Sequence, residues 1–392
     1  MVKGLEVDAA LRFDHYDTYG SSTTPKFGVK YAPLRELTFR GTWGKGFRAP
    51  DANESGEAGA AFLAATVPDP ILCPHPAAAN TPGNYPTQCS LELVGVQNSN
   101  PALKPEKSTN FTLGAIFEPN SSFNVSVDYY DIKIDQDIIS AFEAGGLLNS
   151  SFALPPPVRG SPVTLPYVNA NGTIANQVTP VGLIQYQPYP YVNASSDETT
   201  GIDLDAQGHL DLGIAGRLTA ELNYTHIIKY DLIAYGVTYE RAGTHGPSGV
   251  SGDTGNPKDR AVLTLTWEKG PGSIAATVNY ISSFSVTDPS SGQNTCTQAL
   301  NSAFTLEFGS RFPVGSSFPT SFCTVGSFTD VDLYGKYAIN DHLTLHGSML
   351  NAFNKPPPLD MVTYGGGGAY DAAMHQAGAV GRFLTVGATY KF

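Results

Sequence analysis

The sequence is poor in charged residues, which make up 15% of its 392 residues, whereas a typical soluble domain has about 25%. It also lacks any run close to the roughly 20 consecutive apolar residues that a membrane-spanning helix needs. The mean hydropathy of -0.13 agrees with that absence. A helical membrane protein is therefore excluded, and an ordinary soluble domain is disfavoured.

Basic stripes are absent too, and the net charge is -12. Proteins that bind nucleic acid usually carry clustered Lys and Arg to contact phosphates, so we expect no nucleic-acid partner. The Gly-x-Ser-x-Gly nucleophile elbow of serine hydrolases is missing as well, and no spacing pairs a nucleophile with a base. We therefore expect no enzymatic activity, no cofactor and no metal site.

Cysteine is scarce, with four residues in two local pairs, Cys73 with Cys89 and Cys296 with Cys323. Each pair lies in a stretch rich in Pro, Ser, Asn and Gly. The close Cys-x-x-Cys spacing of zinc sites is absent. We interpret both pairs as loop-closing disulfides that form in an oxidising compartment.

Alternating apolar and polar residues are abundant, and this period of two is typical of strands with two different faces. Within 202–212, the apolar residues share one face, and Asp203, Asp205, His209 and Asp211 lie on the other. We predict that these four residues face a lumen, where they could line a cation route, contact a domain that plugs the lumen, or simply form part of a wet, polar wall. The predicted strands lie near 3–14, 25–32, 35–45, 107–118, 122–139, 198–212, 216–230, 258–268, 272–284, 326–339, 342–353 and 379–392.

The connections between these strands alternate between short turns and long loops. Many of the strands are also longer than the ~5–6 residues usual in soluble sheets and match the roughly 9–11 that cross a bilayer at a tilt. Both features are typical of outer-membrane barrels. The sequence therefore predicts an all-β fold, an antiparallel transmembrane β-barrel with about twelve strands present. The predicted long loops are 46–105, 140–196, 231–256, 285–324 and 354–378.

Two spaced motifs carry a family resemblance. A strand reading FRGTWGKGFRAP ends at Pro50, and NPALKPEKSTNFTLG follows a long loop, at Asn100–Gly114. This pair resembles the barrel of TonB-dependent outer-membrane receptors, in which a GFRAP strand end precedes a loop and an NPxLKPE strand. NAFNKPPP at Asn351–Pro358 is similar to another segment of that family, and the chain closes on an aromatic residue, Phe392.

The resemblance implies a barrel of about 22 strands that is closed by an N-terminal plug domain. Such receptors sit in the outer membrane of Gram-negative bacteria and import a scarce extracellular ligand, such as a siderophore-iron complex, a cobalamin or an oligosaccharide. Their partners are outer-membrane lipid, their own plug and TonB, which acts through the plug. Because no plug, no TonB box and only about half the strands are recognisable, we expect 1–392 to be one partial barrel domain, the C-terminal part, with Met1 not the natural start.

The resemblance also suggests roles for single residues. Glu106 matches a glutamate that can contact the plug, and Arg48 is a second plug-contact candidate, although an architectural role at the strand end is favoured for Arg48. A second family glutamate is replaced by Thr112. Tyr186, Tyr189 and Tyr191 lie close together and could contact a ligand, or they could pack against their own loop.

Two alternatives remain open. A self-contained twelve-stranded pore or outer-membrane enzyme would pair its first strand with its last. A soluble surface-binding β-protein would need no detergent, but large uncharged faces are rare on soluble monomers.

Overall fold

The structure is a computed structural model, and it describes residues 4–56, 59–73, 87–141, 153–168, 174–234, 236–245, 255–292, 294–301, 319–362 and 370–392. Helices α1 and α2 span Ala52–Ser55 and Ala372–Val380. No helix in these residues is long and apolar enough to cross a membrane.

The described strands are, in chain order, β1 (Leu5–Tyr16), β2 (Gly20–Tyr31), β3 (Leu37–Arg48), β4 (Ala61–Val67), β5 (Leu91–Asn98), β6 (Glu106–Asn120), β7 (Phe123–Ser140), β8 (Val158–Arg159), β9 (Thr164–Val168), β10 (Ile174–Val178), β11 (Ile184–Asp211), β12 (Arg217–Ala234), β13 (Val237–Glu240), β14 (Asp259–Lys269), β15 (Gly272–Ile281), β16 (Phe284–Ser285), β17 (Thr324–Val325), β18 (Phe328–Ala338), β19 (Leu343–Leu350) and β20 (Phe383–Tyr390).

Twelve of the strands form one hydrogen-bonded path, and consecutive hairpins pair antiparallel along it, as β1 does with β2 and β14 with β15. The all-β, antiparallel prediction is confirmed. β1 and β20 stand at the two ends of the path and do not pair with each other in the described residues. The order along the path is β1-β2-β3-β6-β7-β11-β12-β14-β15-β18-β19-β20.

Register keeps the two faces of the sheet chemically distinct. Between β12 and β14, Leu218 lies opposite Trp267 and Leu222 opposite Leu263, whereas Thr219 lies opposite Thr266. Many side chains of the apolar face are exposed, for example Leu384 at 61%. An apolar face that no other layer covers is expected where the surrounding medium is hydrocarbon.

Short turns join the hairpins as the sequence predicts. Gly270 follows Lys269 with a φ of +54°, and Gly216 has a φ of +95°. A Cβ on Gly216 would lie 2.1 Å from the carbonyl oxygen of Glu268, so a larger residue there would collide with the neighbouring strand. Glycine is required at this turn for both its conformation and its small size.

The chain divides into two compact units. Unit 1 comprises Met1–Phe47, Lys107–Asp135 and Ser196–Phe392, and unit 2 comprises Arg48–Glu106 and Gln136–Ser195. Unit 1 contains the hairpins of the long path, and unit 2 contains β4, β5, β8, β9 and β10.

Several regions predicted as loops contain strands. β4 and β5 pair antiparallel inside predicted loop 46–105, and β9 pairs with β10 inside 140–196. These strands have five to eight residues, and β5, β9 and β10 carry Gly, Pro or Asn, so the alternation that marks longer strands is too weak to reveal them.

Three predicted strand starts lie four or more residues from the observed ones, and the first is that of β2, which starts at Gly20 rather than near 25. β11 starts at Ile184 rather than near 198, because the tyrosine-rich segment continues the strand. The last strand starts at Phe383 rather than near 379, because Ala379 and Val380 complete α2, and Gly381 turns the chain with a φ of +73°.

Candidate functional site

The polar face of unit 1 is held together by hydrogen bonds between neighbouring strands. The hydroxyl of Thr225 donates to Asp203 at 2.6 Å, and Arg217 Nε donates to Asp211 at 2.6 Å. Gln207 donates to Glu221 at 3.1 Å. Asp203 and Asp211, both predicted to face the lumen, therefore lie on a hydrogen-bonded polar face, as their alternation with apolar neighbours requires.

The same face continues on β3, β6 and β7. Arg40 donates to both carboxylate oxygens of Asp128, from Nε at 2.7 Å and from Nη2 at 2.5 Å. Thr42 and Thr112 share a hydrogen bond of 2.6 Å between their hydroxyls. Thr112, which replaces a glutamate of the family motif, thus pairs across strands in this chain.

In unit 2, the two motifs that carry the family resemblance meet through Arg48. Its guanidinium donates to Glu106 from Nε at 2.6 Å and from Nη2 at 2.5 Å. Its Nη1 also donates to both oxygens of Glu54 at 3.0 Å. Glu54 and Glu106 are both largely buried, and one cation compensates their two charges. Bidentate geometry of this kind is specific to arginine.

Further bonds fix both carboxylates. Glu106 also accepts the backbone N–H of Ile138 at 2.9 Å. Glu54 and Asp51 form a capping box at the start of α1, with each side chain accepting the other's backbone N–H at 2.8 Å. Such reciprocal bonds satisfy donors that a helix start leaves free. Arg48 and Glu106, predicted as plug contacts, are therefore partners of one another, and contact with a plug remains a prediction.

The predicted ligand tyrosines of unit 2 differ in accessibility. Tyr189 is 6% exposed, and its ring lies 5.5 Å from that of Phe62. Tyr186 and Tyr191 are half-buried. This part of β11 pairs in parallel with β5, placing Tyr189 opposite Gln97. Only Tyr186 and Tyr191 present enough surface for a ligand without a rearrangement.

A second ion pair in unit 2 lies beside a disulfide. Arg159 donates to both oxygens of the fully buried Asp69, at 2.7 and 3.0 Å. Cys73 is bonded to Cys89 with an Sγ–Sγ distance of 1.97 Å, and its backbone N–H donates to the carbonyl of Asp69. Burial alone would raise the pKa of Asp69, but the bond from Arg159 and two backbone N–H donors outweigh it and lower that pKa.

Unit 1 contains a separate loop core. We call this set the loop cluster: the buried residues Phe284, Val286, Ala299, Leu300, Val325 and Val362. Cys296 packs against the cluster and is bonded to Cys323 with an Sγ–Sγ distance of 1.95 Å. Both disulfide pairs proposed from the sequence are thus bonded in the structure. No sequence pattern indicates the loop cluster itself, because its residues come from separate segments without periodicity.

Two buried histidines adjoin the loop cluster. His245 Nε2 lies 3.0 Å from Asp360 Oδ2, and His245 is 6.0 Å from the ring of Phe284. Burial opposes charge on His245, yet the hydrogen bond and charge of Asp360 raise its pKa. His375 in α2 is fully buried, packs edge-on against Phe328, and has no hydrogen bond to its ring within the described residues. Burial lowers the pKa of His375.

The described residues contain no group of three His, Cys, Asp or Glu side chains placed to hold a metal ion. His245 and Asp360 therefore act as a buried pair that ties two segments of unit 1 together.

Asn351, in the third motif, organises the segment after β19. It has a φ of +46° and is almost fully buried. Its Nδ2 donates to the carbonyls of Lys355 and Ala377, and its Oδ1 accepts the N–H of Lys355 at 2.8 Å. Asparagine tolerates this left-handed conformation and also satisfies backbone groups of a tight turn. The motif is thus explained by local structure.

An antiparallel sheet with one exposed apolar face and one hydrogen-bonded polar face is the arrangement of a transmembrane β-barrel wall. Residues 2–352 match the family described as "TonB dependent receptor-like, beta-barrel". The chain belongs to this family. No curated protein sequence matches it significantly.

Solved structures with a similar fold include siderophore receptors and an iron transporter. A mutant of the ferric enterobactin receptor PfeA from Pseudomonas aeruginosa, in complex with enterobactin, is 14% identical with a TM-score of 0.57, covering 100% of this chain and 43% of that one. The siderophore receptor PirA from Acinetobacter baumannii is 16% identical with a TM-score of 0.55, covering 99% and 44%. The FrpB iron transporter from Neisseria meningitidis is 14% identical with a TM-score of 0.52, covering 100% and 44%. The chain spans less than half the length of each of these structures.

Proposed function

We propose that this chain forms the C-terminal part of the barrel of a receptor that takes up a scarce ligand by TonB-dependent active transport across the outer membrane. The family match and the two-faced antiparallel sheet support this proposal. The plug domain and the remaining strands would belong to the same receptor, and TonB would act through the plug. No catalytic step is part of the proposal.

Among the ligand classes, we favour a ferric siderophore over a cobalamin or an oligosaccharide. This preference rests on the similar solved structures, which include siderophore receptors and an iron transporter. Tyr186 and Tyr191 of unit 2 are the candidate contacts, because aromatic faces suit the flat rings of many siderophores. The polar face of unit 1, with Asp203, Asp205, His209 and Asp211, would line the ligand's route.

The observation that carries the location is the exposed apolar face. Leu11 is 72% exposed, and many other leucines, valines and aromatic residues of the sheet are also exposed. On a soluble protein, a continuous patch of this kind would drive aggregation. In a bilayer, the same side chains meet hydrocarbon, and the short-turn side would face the periplasm.

The self-contained pore is not favoured, because that alternative requires β1 to pair with β20. In the described residues, β1 pairs with β2 and β20 with β19.

Uptake measurements test the proposal. We expect deletion of the gene to abolish TonB-dependent uptake of at least one radiolabelled ferric siderophore under iron limitation, and reintroduction of the full gene to restore it. If siderophore uptake is unchanged while cobalamin uptake or growth on an oligosaccharide is lost, the ligand is a cobalamin or an oligosaccharide instead of a ferric siderophore. No change in any of the three would overturn the transport proposal.

Variants test the tyrosines. Tyr186→Ala and Tyr191→Ala should raise the ligand concentration needed for half-maximal uptake, while Tyr186→Phe should not, because it keeps the ring. Equal uptake by the alanine and phenylalanine variants would exclude these two contacts.

A further inference from the structure

The apolar face of unit 1 carries a depression of about 520 Å³ near the turn between β14 and β15. This volume falls within the roughly 300–1,000 Å³ of small-molecule sites. Its floor is formed by two glycines, Gly335 of β18 and Gly347 of β19, which lie directly opposite each other. Because neither has a side chain, the wall is thinnest where they meet.

Bulky side chains of the same face surround this floor. Register places Ile274 beside Gly335 and Val386 beside Gly347. Leu345 and Tyr337 form the next pair along β19 and β18. Val386 is 92% exposed and Ile274 is 55% exposed, so no described residue fills the depression. The walls and floor together make a groove of hydrocarbon character.

The rim at the short-turn end is different in character. Lys269 lines the depression and follows Trp267 on the same face of β14. No ion pair to Lys269 is present among the described residues. The indole N–H of Trp267 donates to the carbonyl of Ala215 at 2.8 Å, which fixes the ring at the level of the neighbouring turn. Trp and Tyr beside a lysine at the end of a strand are typical of the level where hydrocarbon meets headgroups.

A second depression on the same face provides an internal comparison. It has a volume of about 440 Å³ and a floor of small residues that includes Ala206, Gly208 and Ala220. Its lining residues include no lysine or arginine. Of these two depressions, the groove at Gly335 and Gly347 is the one that combines an apolar floor with a lysine.

We propose that this groove binds one glycerophospholipid of the periplasmic leaflet, with an acyl chain on Gly335 and Gly347 and the headgroup phosphate on Lys269. The site rests on the proposed outer-membrane location and adds a lipid ligand to it. An anionic headgroup is preferred, because the ammonium group of Lys269 would offset its charge, while Trp267 and Tyr337 flank the ester region. Lys336 and His346 also line the depression but belong to residues that alternate toward the polar face.

Two variants separate the chain and headgroup contacts. Gly335→Leu fills the floor, and a Cβ there meets nothing nearer than the carbonyl oxygen of Ser273 at 4.0 Å, so the fold should tolerate it. Lys269→Gln removes the charge and keeps a polar side chain that is one atom shorter. Ala115→Leu adds the same apolar bulk to the same face on β6, and Lys30→Gln removes a lysine near another short turn, on the polar face.

The protein is expressed from its full gene, purified from outer membranes in a mild detergent, and titrated with phosphatidylglycerol or phosphatidylcholine under native mass spectrometry. We expect wild type to bind phosphatidylglycerol more tightly than phosphatidylcholine. Lys269→Gln should weaken phosphatidylglycerol binding about fivefold, the change expected for one lysine at an anionic membrane surface. Gly335→Leu should weaken both lipids, and the two controls should weaken neither.

Equal phosphatidylglycerol affinity in wild type, Lys269→Gln and Gly335→Leu would overturn the lipid site. If those proteins still reach the outer membrane and support uptake, the transport proposal stands without it. Absence of the wild-type protein from outer membranes would instead overturn the proposed location, and the lipid site with it.

Discussion

Arg48 and Glu106 lie 58 residues apart in the sequence and share two hydrogen bonds, one at 2.6 Å and one at 2.5 Å. Arg48 lies near the end of the first family motif and Glu106 lies in the second, so the two motifs are in direct contact in the folded chain. Glu54 adds a second carboxylate to the same guanidinium.

Removal of the guanidinium should loosen unit 2. Arg48→Ala would leave two largely buried carboxylates without their cation, which we expect to cost about 1–2 kcal/mol after allowance for the partly exposed arginine. Proteolysis within 49–105 should then be about five- to thirtyfold faster. Arg12→Ala, which breaks the exposed pair with Asp14, is the matched control and should leave the rate unchanged. Equal rates in wild type and Arg48→Ala would show that the pair does not stabilise unit 2.

The two buried histidines should give opposite pH dependences. The raised pKa of His245 means that its pair with Asp360 stabilises the loop cluster fully below the unfolded value of about 6.5 and ceases to do so as the pH rises through the folded pKa. The lowered pKa of His375 means that its stabilising effect is present above about 6.5 and is lost as the pH falls through the folded pKa.

Single variants separate these effects. In His375→Leu, hydrogen exchange of the loop cluster should become faster as the pH rises from about 6 to about 8, a range that includes the unperturbed histidine pKa of about 6.5. In His245→Asn, exchange should become slower over the same range. Both rates are corrected for the pH dependence of intrinsic exchange. The same slope in both variants would contradict the assignment.

Substitution of Asn351 should destabilise the segment after β19, through lost side-chain hydrogen bonds and through the cost of a positive φ. Asn351→Ala removes three side-chain hydrogen bonds and places alanine at a positive φ, for an expected loss of about 2–4 kcal/mol. Asn351→Gly relieves the conformational cost alone and should be about 1 kcal/mol less destabilised than the alanine variant. The temperature at which the folded band is lost in heat-modifiability gels measures both. A more stable alanine variant would refute the role of the left-handed conformation.

Reduction of the Cys296–Cys323 bond should open the loop cluster. The sequence separation is 27 residues, and a closed loop of that length restricts the unfolded segment by about 3.5 kcal/mol. We expect dithiothreitol to speed proteolysis of 285–324 while the hairpin of β14 and β15 stays protected. A Cys296→Ala/Cys323→Ala protein supplies the control, since its rate should not respond to dithiothreitol.

The sequence predicted the long hairpins well because their two faces contact different media. Leu218, Ala220 and Leu222 must be apolar and their neighbours polar, so the period of two is preserved. The short turns were also predictable, since glycine or proline marks most of them and Asn340-Asp341 marks the turn between β18 and β19. Both faces of β12 and β14 are therefore predictable from the sequence alone.

Other parts could not be read in this way. The pairing of Arg48 with Glu106, and that of His245 with Asp360, depends on long-range folding that no local pattern encodes. Tyr189 shows the same limit, because its burial against Phe62 is set by β4, a strand without clear alternation. The groove at Gly335 and Gly347 required the register between β18 and β19.

The parallel pairing of β5 with β11 in unit 2 has a consequence for the order of folding. Asn100 bonds to the carbonyl of Tyr191 across 91 residues, and Arg159 reaches Asp69 across 90. Hairpins such as β14–β15 close through short turns, whereas a parallel pair must wait for distant segments to meet. Unit 2 should therefore be completed late, and a newly exported chain would pass through a stage in which its neighbouring hairpins have formed while residues 49–105 are still open to proteases.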